Sequence, residues 1–359
     1  MVTLQDVARA AGVSPMTVSN VVNARVPVRP ETRERVLAAV ETLGYRVNGA
    51  ARNLRAGRTG TIALAVPDLD RPYSGQLADR VVHAGRRRGL RVVVEVTGAR
   101  REDELDAIAL SRVRLHDGVI VSAVGLRPED LRLLPLSGPV VLLGERVLDA
   151  RVDHVGMPNV AGARAAVEHL LATGRRRVAV VGAPPEAVAG AGRAGDPHDA
   201  AASGTPLPAD ADAGHPRGEG YRQALAAAGL PVDPALVVPA PDWTLAGGAA
   251  AARALLAAAP DVDGVLAVTD TLALGVLRGL ADAGRRVPQD VAVVGFDDVL
   301  EASYSVPRLS TVAPDHEEIA ETAVELLVAR IAETGVPAPA RDVTSGFRLV
   351  VRESSAPAG

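Results

Sequence analysis

Residues 3–23 read TLQDVARAAGVSPMTVSNVVN, and their punctuation decides the fold at this end of the chain. Thr3 is placed to cap a first helix, with Asp6 three residues on in the capping-box position. Val7, Ala8 and Ala11 give that helix an apolar stripe. Gly12 ends it, because glycine turns left-handed without a steric penalty. Ser14 caps a second helix and Pro15 takes its first position, where a missing N–H leaves no bond unmade. Val18, Val21 and Val22 recur at helical spacing and face inward. Pro15, Met16, Thr17, Ser19, Asn20 and Asn23 then face outward. Such a helix-turn-helix lays its second helix in the major groove of DNA, with its first turns against base edges. An ordinary helical hairpin shares the pattern; the neighbouring segments and the charge of this end of the chain separate the two.

Pro30-Glu31 opens a third helix, with Val36, Leu37, Val40 and Leu43 as its buried stripe and Gly44 as its stop. Asn48 next caps a segment that Gly57 ends, giving a helix of about two turns, too short to hold in water alone. It folds only when something packs on it. Leu54 is its one large apolar side chain, flanked by Arg52 and Arg55. A leucine between arginines suits insertion into a minor groove, where an apolar wedge opens a base step. A flexible linker is the alternative.

Charge separates the head from the body. The chain carries a formal net charge of −4, but residues 1–58 hold nine Arg against four acids, a balance of +5 that leaves −9 elsewhere. A basic head on an acidic body is the footprint of duplex binding. Every cation other than histidine is Arg, which a GC-rich coding bias explains.

The 359 residues leave room for a headpiece and two further domains. With no cysteine there is neither a disulfide nor a thiolate-held metal. The start of the chain is polar, with no apolar signal segment, and no run approaches the ~20 apolar residues of a membrane span. A cytoplasmic protein is expected. The seven His are scattered without metal-ligand spacing. No nucleophile elbow or phosphate loop is found, so neither cofactor nor catalytic residue is expected, and the reading is not an enzyme.

Short apolar runs recur through the body between helical stretches: Ile62–Val66, Val92–Val96, Gly118–Ser122, Val140–Leu143, Val178–Val181, Val265–Val268 and Val291–Val294. Continuous apolar strands alternating with helices argue parallel sheets covered on both faces, here two doubly wound α/β lobes. Ligands in such sheets lie beyond the carboxyl ends of the strands. The residues there are Asp68 and Tyr73, Thr269-Asp270, and Asp297-Asp298.

The chain resembles the lactose-repressor (LacI/GalR) family of bacterial transcription regulators. The words that carry the resemblance are TLQDVARAAGVSPMTVSNVVN, then ETRERVLAAVETLGYRVN and AARNLRAGRTGTIALAVPD, and later VPQDVAVVGFDD, LSTV and RLVVRES. They span nearly the whole sequence in the family's order. The resemblance implies an all-α headpiece (1–47), a hinge helix (48–58) and a two-lobed core (59–340) like periplasmic sugar-binding proteins, with 341–359 as a C-terminal strand and tail. The first lobe is expected over about 59–158 and 290–314, the second over about 159–289 and 315–340. Expected DNA contacts are Thr3, Ser14, Pro15, Met16, Thr17, Ser19, Asn20, Asn23, Arg25, Ala51, Leu54 and Arg55. Expected effector contacts are Asp68, Tyr73, Arg217 of Arg217-Gly-Glu-Gly-Tyr221, Trp243, Asp270 and Asp297. Carboxylates, an Arg and an aromatic face are what a polyol needs. Helix capping is the rival role for Asp270 and Asp298, and core packing for Trp243. The expected partners are a near-palindromic double-stranded DNA operator, a second copy of the chain in a homodimer, and a small carbohydrate effector, with no membrane.

Departures from the family pattern qualify the effector. Thr269 replaces the usual Asn, Pro314 stands where Gln is common, and Arg71-Pro-Tyr-Ser74 replaces Asn-Pro-Phe-Phe. Arg71 would favour an acidic group. Residues 187–215, almost entirely Ala, Gly, Pro, Asp and Ser, replace a shorter connection and are expected to be disordered. Arg193 within them is a rival to Arg217. The GxGxxG at 190–195 runs into Asp196-Pro197 rather than a helix, so it is no dinucleotide fingerprint. The arginine triplets at 86–88 and 175–177 fit helix C-termini, whose dipole favours cations. A transport protein would carry an export signal and no basic headpiece; a kinase or dehydrogenase would carry a phosphate-cradling loop.

Overall fold

Both caps expected at the start of the chain are made. The Thr3 hydroxyl accepts from the Asp6 amide at 3.3 Å and the Asp6 carboxylate accepts from the Thr3 amide at 2.9 Å, so α1 (Leu4–Ala11) opens on a complete capping box. Gly12 closes it at φ +64°. Ser14 Oγ accepts from the Thr17 amide at 3.1 Å and starts α2 (Pro15–Asn23). The computed structural model describes residues 2–23, 26–45, 58–112, 115–133, 138–144, 151–188, 211–240 and 242–356. Residues up to Thr59 form one unit and those from Gly60 another.

In the first unit Val7, Ala8, Ala11, Val18 and Val21 pack with Val36 and Ala39 of α3 (Pro30–Thr42). The expected stripe of α3 needs one correction. Leu37 is 45% exposed, and Ala39 takes its place in the core. The small radius of a three-helix core favours the small side chain. Gly44 stops the helix at φ +61°. The hinge helix expected over 48–58 falls, up to Gly57, outside the described residues, as do Arg25, Ala51, Leu54 and Arg55.

The second unit holds two parallel-stranded sheets. The first runs in the order β2 (Arg91–Val96), β1 (Thr61–Val66), β3 (Val119–Ser122), β4 (Val140–Leu143), β5 (Asp153–Gly156), β11 (Asp342–Thr344). The second runs β7 (Val237–Val238), β6 (Val178–Val181), β8 (Gly264–Ala267), β9 (Ala292–Phe296), β10 (Ser310–Pro314), β12 (Phe347–Val350), with β12 antiparallel to β10. All seven expected strands are present within a residue or two. Helices cover them: α4 (Pro72–Arg87), α5 (Arg101–Arg112) and α6 (Pro128–Leu133) follow strands of the first sheet. Then come α7 (Asn159–Ala172), α8 (Pro185–Val188), α9 (Ala211–Ala227), α10 (Leu245–Ala258), α11 (Asp270–Asp282) and α12 (His316–Ala332).

The expected division of the lobes is reversed at the second crossing. β9 and β10 pair with β8 in the second sheet, so 290–314 belongs to the second lobe. Helix α12 buries Ile319, Ala320, Ala323, Val324 and Leu327 among Ile62, Leu64, Ile120 and Val141, so it belongs to the first. The strand expected in 341–359 is present as two, β11 extending the first sheet and β12 the second. An apolar strand pattern identifies a strand without saying which sheet it joins.

The expected disorder over 187–215 is overturned at both ends. Ala187 and Val188 complete α8, Val188 is buried, and α9 begins at Ala211. Gly218 lets these helices approach: a Cβ there would lie 2.9 Å from that of Ala187. Arg193 and the GxGxxG lie outside the described residues. Within the arginine triplets, Arg87 donates across to Glu317 of α12 at 2.7 Å, and Arg176 Nη1 donates to the Leu171 carbonyl at the end of α7 at 3.0 Å.

Candidate functional site

In each sheet the strand order reverses direction beside the first strand, β1 in one and β6 in the other, and the carboxyl ends there open the crevice where ligands of doubly wound sheets sit. Arg217, on α9, reaches this region of the second lobe and is 3% exposed. Its Nε donates to Asn159 Oδ1 at 2.9 Å and its Nη1 to the carbonyl of Val268, just past β8. Its Nη2 lies 3.4 Å from Asp297 Oδ1, and the guanidinium carbon sits 3.8 Å from the centroid of the Phe296 ring. A buried cation is thus matched by a carboxylate, neutral oxygen acceptors, the Met157 sulfur and an aromatic face.

Asp297 and Asp298 both have positive φ, +117° and +51°. Non-glycine residues hold such angles only where their surroundings over-determine them. Here the Asp297 amide donates to the Val312 carbonyl at 2.8 Å and the Asp298 amide to Thr311 Oγ1 at 3.3 Å. The Val299 amide donates to Asp270 Oδ2 at 2.9 Å, and Arg352 Nη2 to Asp298 Oδ1 at 2.6 Å. Burial, with the nearby Asp297 charge adding to it, pushes Asp270 up to about 8. Burial pushes Asp297 up to about 6 while Arg217 opposes the rise.

This geometry changes two expected roles. Asp270 is fully buried, and its other oxygen accepts from Thr311 Oγ1 at 2.6 Å. It braces the turn that presents Asp297 instead of facing a ligand itself. The cap of α11 is Thr269, whose hydroxyl accepts from the Leu272 amide at 3.3 Å. Trp243 is 2% exposed within the core of the second lobe, so it offers no bare ring face in this conformation.

The first lobe contributes Tyr73, from the first turn of α4, which packs against the cores of both lobes. Burial and the Asp297 charge hold its hydroxyl well above the usual tyrosine range. Its ring centroid is 5.5 Å from that of His316, the first residue of α12. His316 is 8% exposed, and its Nε2 hydrogen-bonds the Asp297 carbonyl oxygen. Burial lowers its pKa. Asp68 pairs with Arg71, Nε to Oδ2 at 3.3 Å, and this internal pairing removes the reason to expect Arg71 to select an acidic ligand.

The structure therefore gathers Tyr73, Arg217 and Asp297, and adds Asn159, Phe296 and His316. Asn159 and His316 follow β5 and β10, polar strands that escaped an apolar pattern. Had those strands been recognised, the strand-end rule would have found both residues. Among the described residues no cluster of His, Cys, Asp and Glu is arranged to hold a metal, and no helix is long and apolar enough to cross a membrane.

On α2 of the headpiece Pro15 and Met16 are exposed, Met16 by 69%, and Thr17, Ser19 and Asn20 are half-buried. Thr3 and Ser14 use their hydroxyls as caps.

Residues 3–48 match the family described as bacterial regulatory proteins, lacI family. Residues 59–208 match the periplasmic binding proteins and sugar binding domain of LacI family, and 167–355 a periplasmic binding protein-like domain. The HTH-type transcriptional regulator CelR of Thermobifida fusca is 35% identical, over 98% of this chain and 98% of that protein. A solved transcriptional regulator CelR–cellobiose complex is 34% identical, covers 99% of this chain and 100% of its own, and superposes with a TM-score of 0.68. The lac repressor dimer bound to operator and the anti-inducer ONPF is 25% identical, covers 99% of both chains, and superposes with a TM-score of 0.77.

Proposed function

We propose that this chain, which belongs to the lacI family of bacterial regulatory proteins, is a cytoplasmic, non-enzymatic repressor whose hold on its operator is set by a carbohydrate bound between the two lobes. It is a DNA-binding transcriptional regulator with a periplasmic-binding-protein-like core. Among the similar structures the lac repressor is a dimer bound to operator, and CelR is in complex with cellobiose. The observation that carries the effector reading is the buried Arg217–Asp297 pair, held on a positive-φ turn where the lobes meet Tyr73.

In this reading Asp297 and Asn159 accept from ligand hydroxyls, Arg217 donates to ligand oxygens, and Tyr73 forms an apolar wall. Pro15, Met16, Thr17, Ser19 and Asn20 read the operator, with two headpieces on two half-sites. A ligand changes operator affinity only through its differential affinity for two lobe arrangements. The coupling such linkage usually supplies is about 1–3 kcal/mol. The test is calorimetric titration of the full chain with cellobiose and with D-ribose, alone and on an operator selected from random duplexes. Binding that shifts operator affinity supports the reading. Failure of selection to yield a two-fold motif sinks the DNA half, and carbohydrate binding unaffected by Arg217→Gln sinks the cleft.

A further inference from the structure

We infer that His316 is an effector-reading residue whose Nδ1 accepts a hydrogen bond from a hydroxyl of the bound carbohydrate. The inference rests on the cleft being the effector site. The Nε2 of His316 faces the Asp297 backbone carbonyl, which can only accept, so the proton sits on Nε2. Nδ1 of a neutral ring is then a bare acceptor. It is buried and has no hydrogen-bond partner among the described residues, although the residue is only 8% exposed. A buried polar atom without a partner is rare and calls for an explanation.

The surroundings say what would satisfy it. Tyr73 covers the ring from α4, and the charges acting on it are Arg80 on α4, Asp298 on the turn and Asp315 before α12. Burial and Arg80 both resist a proton on Nδ1, which keeps it an acceptor. The missing partner is therefore a donor: a hydroxyl fits, and a carboxylate or phosphate oxygen does not. The group read at this position is a neutral hydroxyl, and an analogue lacking it, or carrying fluorine in its place, loses the contact.

Two substitutions divide the ring's two jobs. His316→Asn places an amide oxygen near the position of Nδ1 and gives up Nε2. His316→Gln places an amide nitrogen near Nε2 and gives up Nδ1. Titrated with cellobiose and with D-ribose, the Gln variant is expected to lose about three- to tenfold in affinity, the loss of one neutral hydrogen bond. The Asn variant, which keeps the acceptor but loses the Nε2 contact to the Asp297 carbonyl, should lose less than the Gln variant. The reverse order would show that His316 only props the Asp297 turn, and overturns the proposal. Arg217→Gln, run in parallel, keeps the two readings apart. If it abolishes binding while both His316 variants bind normally, the cleft stands and this proposal falls; if it too binds normally, the cleft reading itself fails. Nitrogen NMR of the unliganded protein, with His316 assigned by difference, reads the tautomer on which the proposal depends. A proton on Nε2 alone supports the proposal, and one on Nδ1 overturns it.

Discussion

Arg217 Nη2 lies 3.4 Å from Asp297 Oδ1, with less than a tenth of either side chain exposed. Pairs this deeply buried seldom add net stability, because desolvation offsets their attraction. The pair sits at the end of a backbone turn with two positive φ angles, itself an energetic cost. Two costs at one place support the binding role proposed for it.

Asp297→Asn keeps the shape and one acceptor oxygen but removes the charge. Arg217 retains Asn159, the Val268 carbonyl and the Phe296 ring, and burial already favours an uncharged group at this position, so the chain is expected to fold with little change in stability. The carbohydrate response is expected to vanish while the unliganded variant holds its operator as the wild type does. Calorimetry and operator titration check both halves; an unchanged response would make Asp297 structural.

Stability should fall as pH rises over the neutral range. The folded-state pKa values of Asp270, about 8, and Asp297, about 6, lie above the ordinary 3.8, so the folded state holds protons that the unfolded chain releases. Their contribution is complete below 3.8 and is lost as pH climbs through about 6 for Asp297 and about 8 for Asp270. Asp153 acts in the opposite sense: burial resists, but hydrogen bonds from Arg330 and Arg341 hold it down to about 2, so its contribution is lost as pH falls from 3.8 toward that value. Denaturant midpoints measured between about pH 5 and pH 9 should decline, and Asp270→Asn should flatten the upper part of that decline.

The sequence made the headpiece legible because caps, a left-handed glycine and helical spacing are local signals: Thr3, Gly12, Ser14 and Val18 could be placed without knowing anything distant. The apolar strands were legible for the same reason. The lobe to which β9, β10 and α12 belong was not, because that depends on pairings across the chain such as Val265 with Val293. Asp270 shows the same limit within the site. A carboxylate at the end of a strand reads as a ligand until Thr311 and the Val299 amide are seen to occupy it.

Trp243 is the chain's one tryptophan, which makes its placement directly measurable. A ring 2% exposed should emit to the blue and resist quenching by iodide. Trp243→Ala is expected to destabilise the second lobe by about 3–5 kcal/mol, through lost transfer energy and the cavity left behind. Emission of a solvated indole in the unliganded protein would return Trp243 to the role of an open platform.

The headpiece offers a separation of specificity from affinity. Met16 is exposed and Asn20 half-buried on the same helix, in the turns proposed to meet base edges. Asn pairs with adenine through two hydrogen bonds, and a Met side chain packs on a thymine methyl. Asn20→Ala is expected to lose about 1–3 kcal/mol on the selected operator, with relaxed preference at one base pair of each half-site. Its salt dependence should not change, because that slope counts phosphates neutralised by arginine and Asn20 neutralises none. Ser14→Ala should behave differently, weakening α2 by about 0.5–2 kcal/mol through the lost cap and lowering affinity for all sequences alike. If Asn20→Ala lowers specific and non-specific affinity equally, α2 is not the reading helix, and the outward face of residues 15–20 has been assigned to the wrong partner.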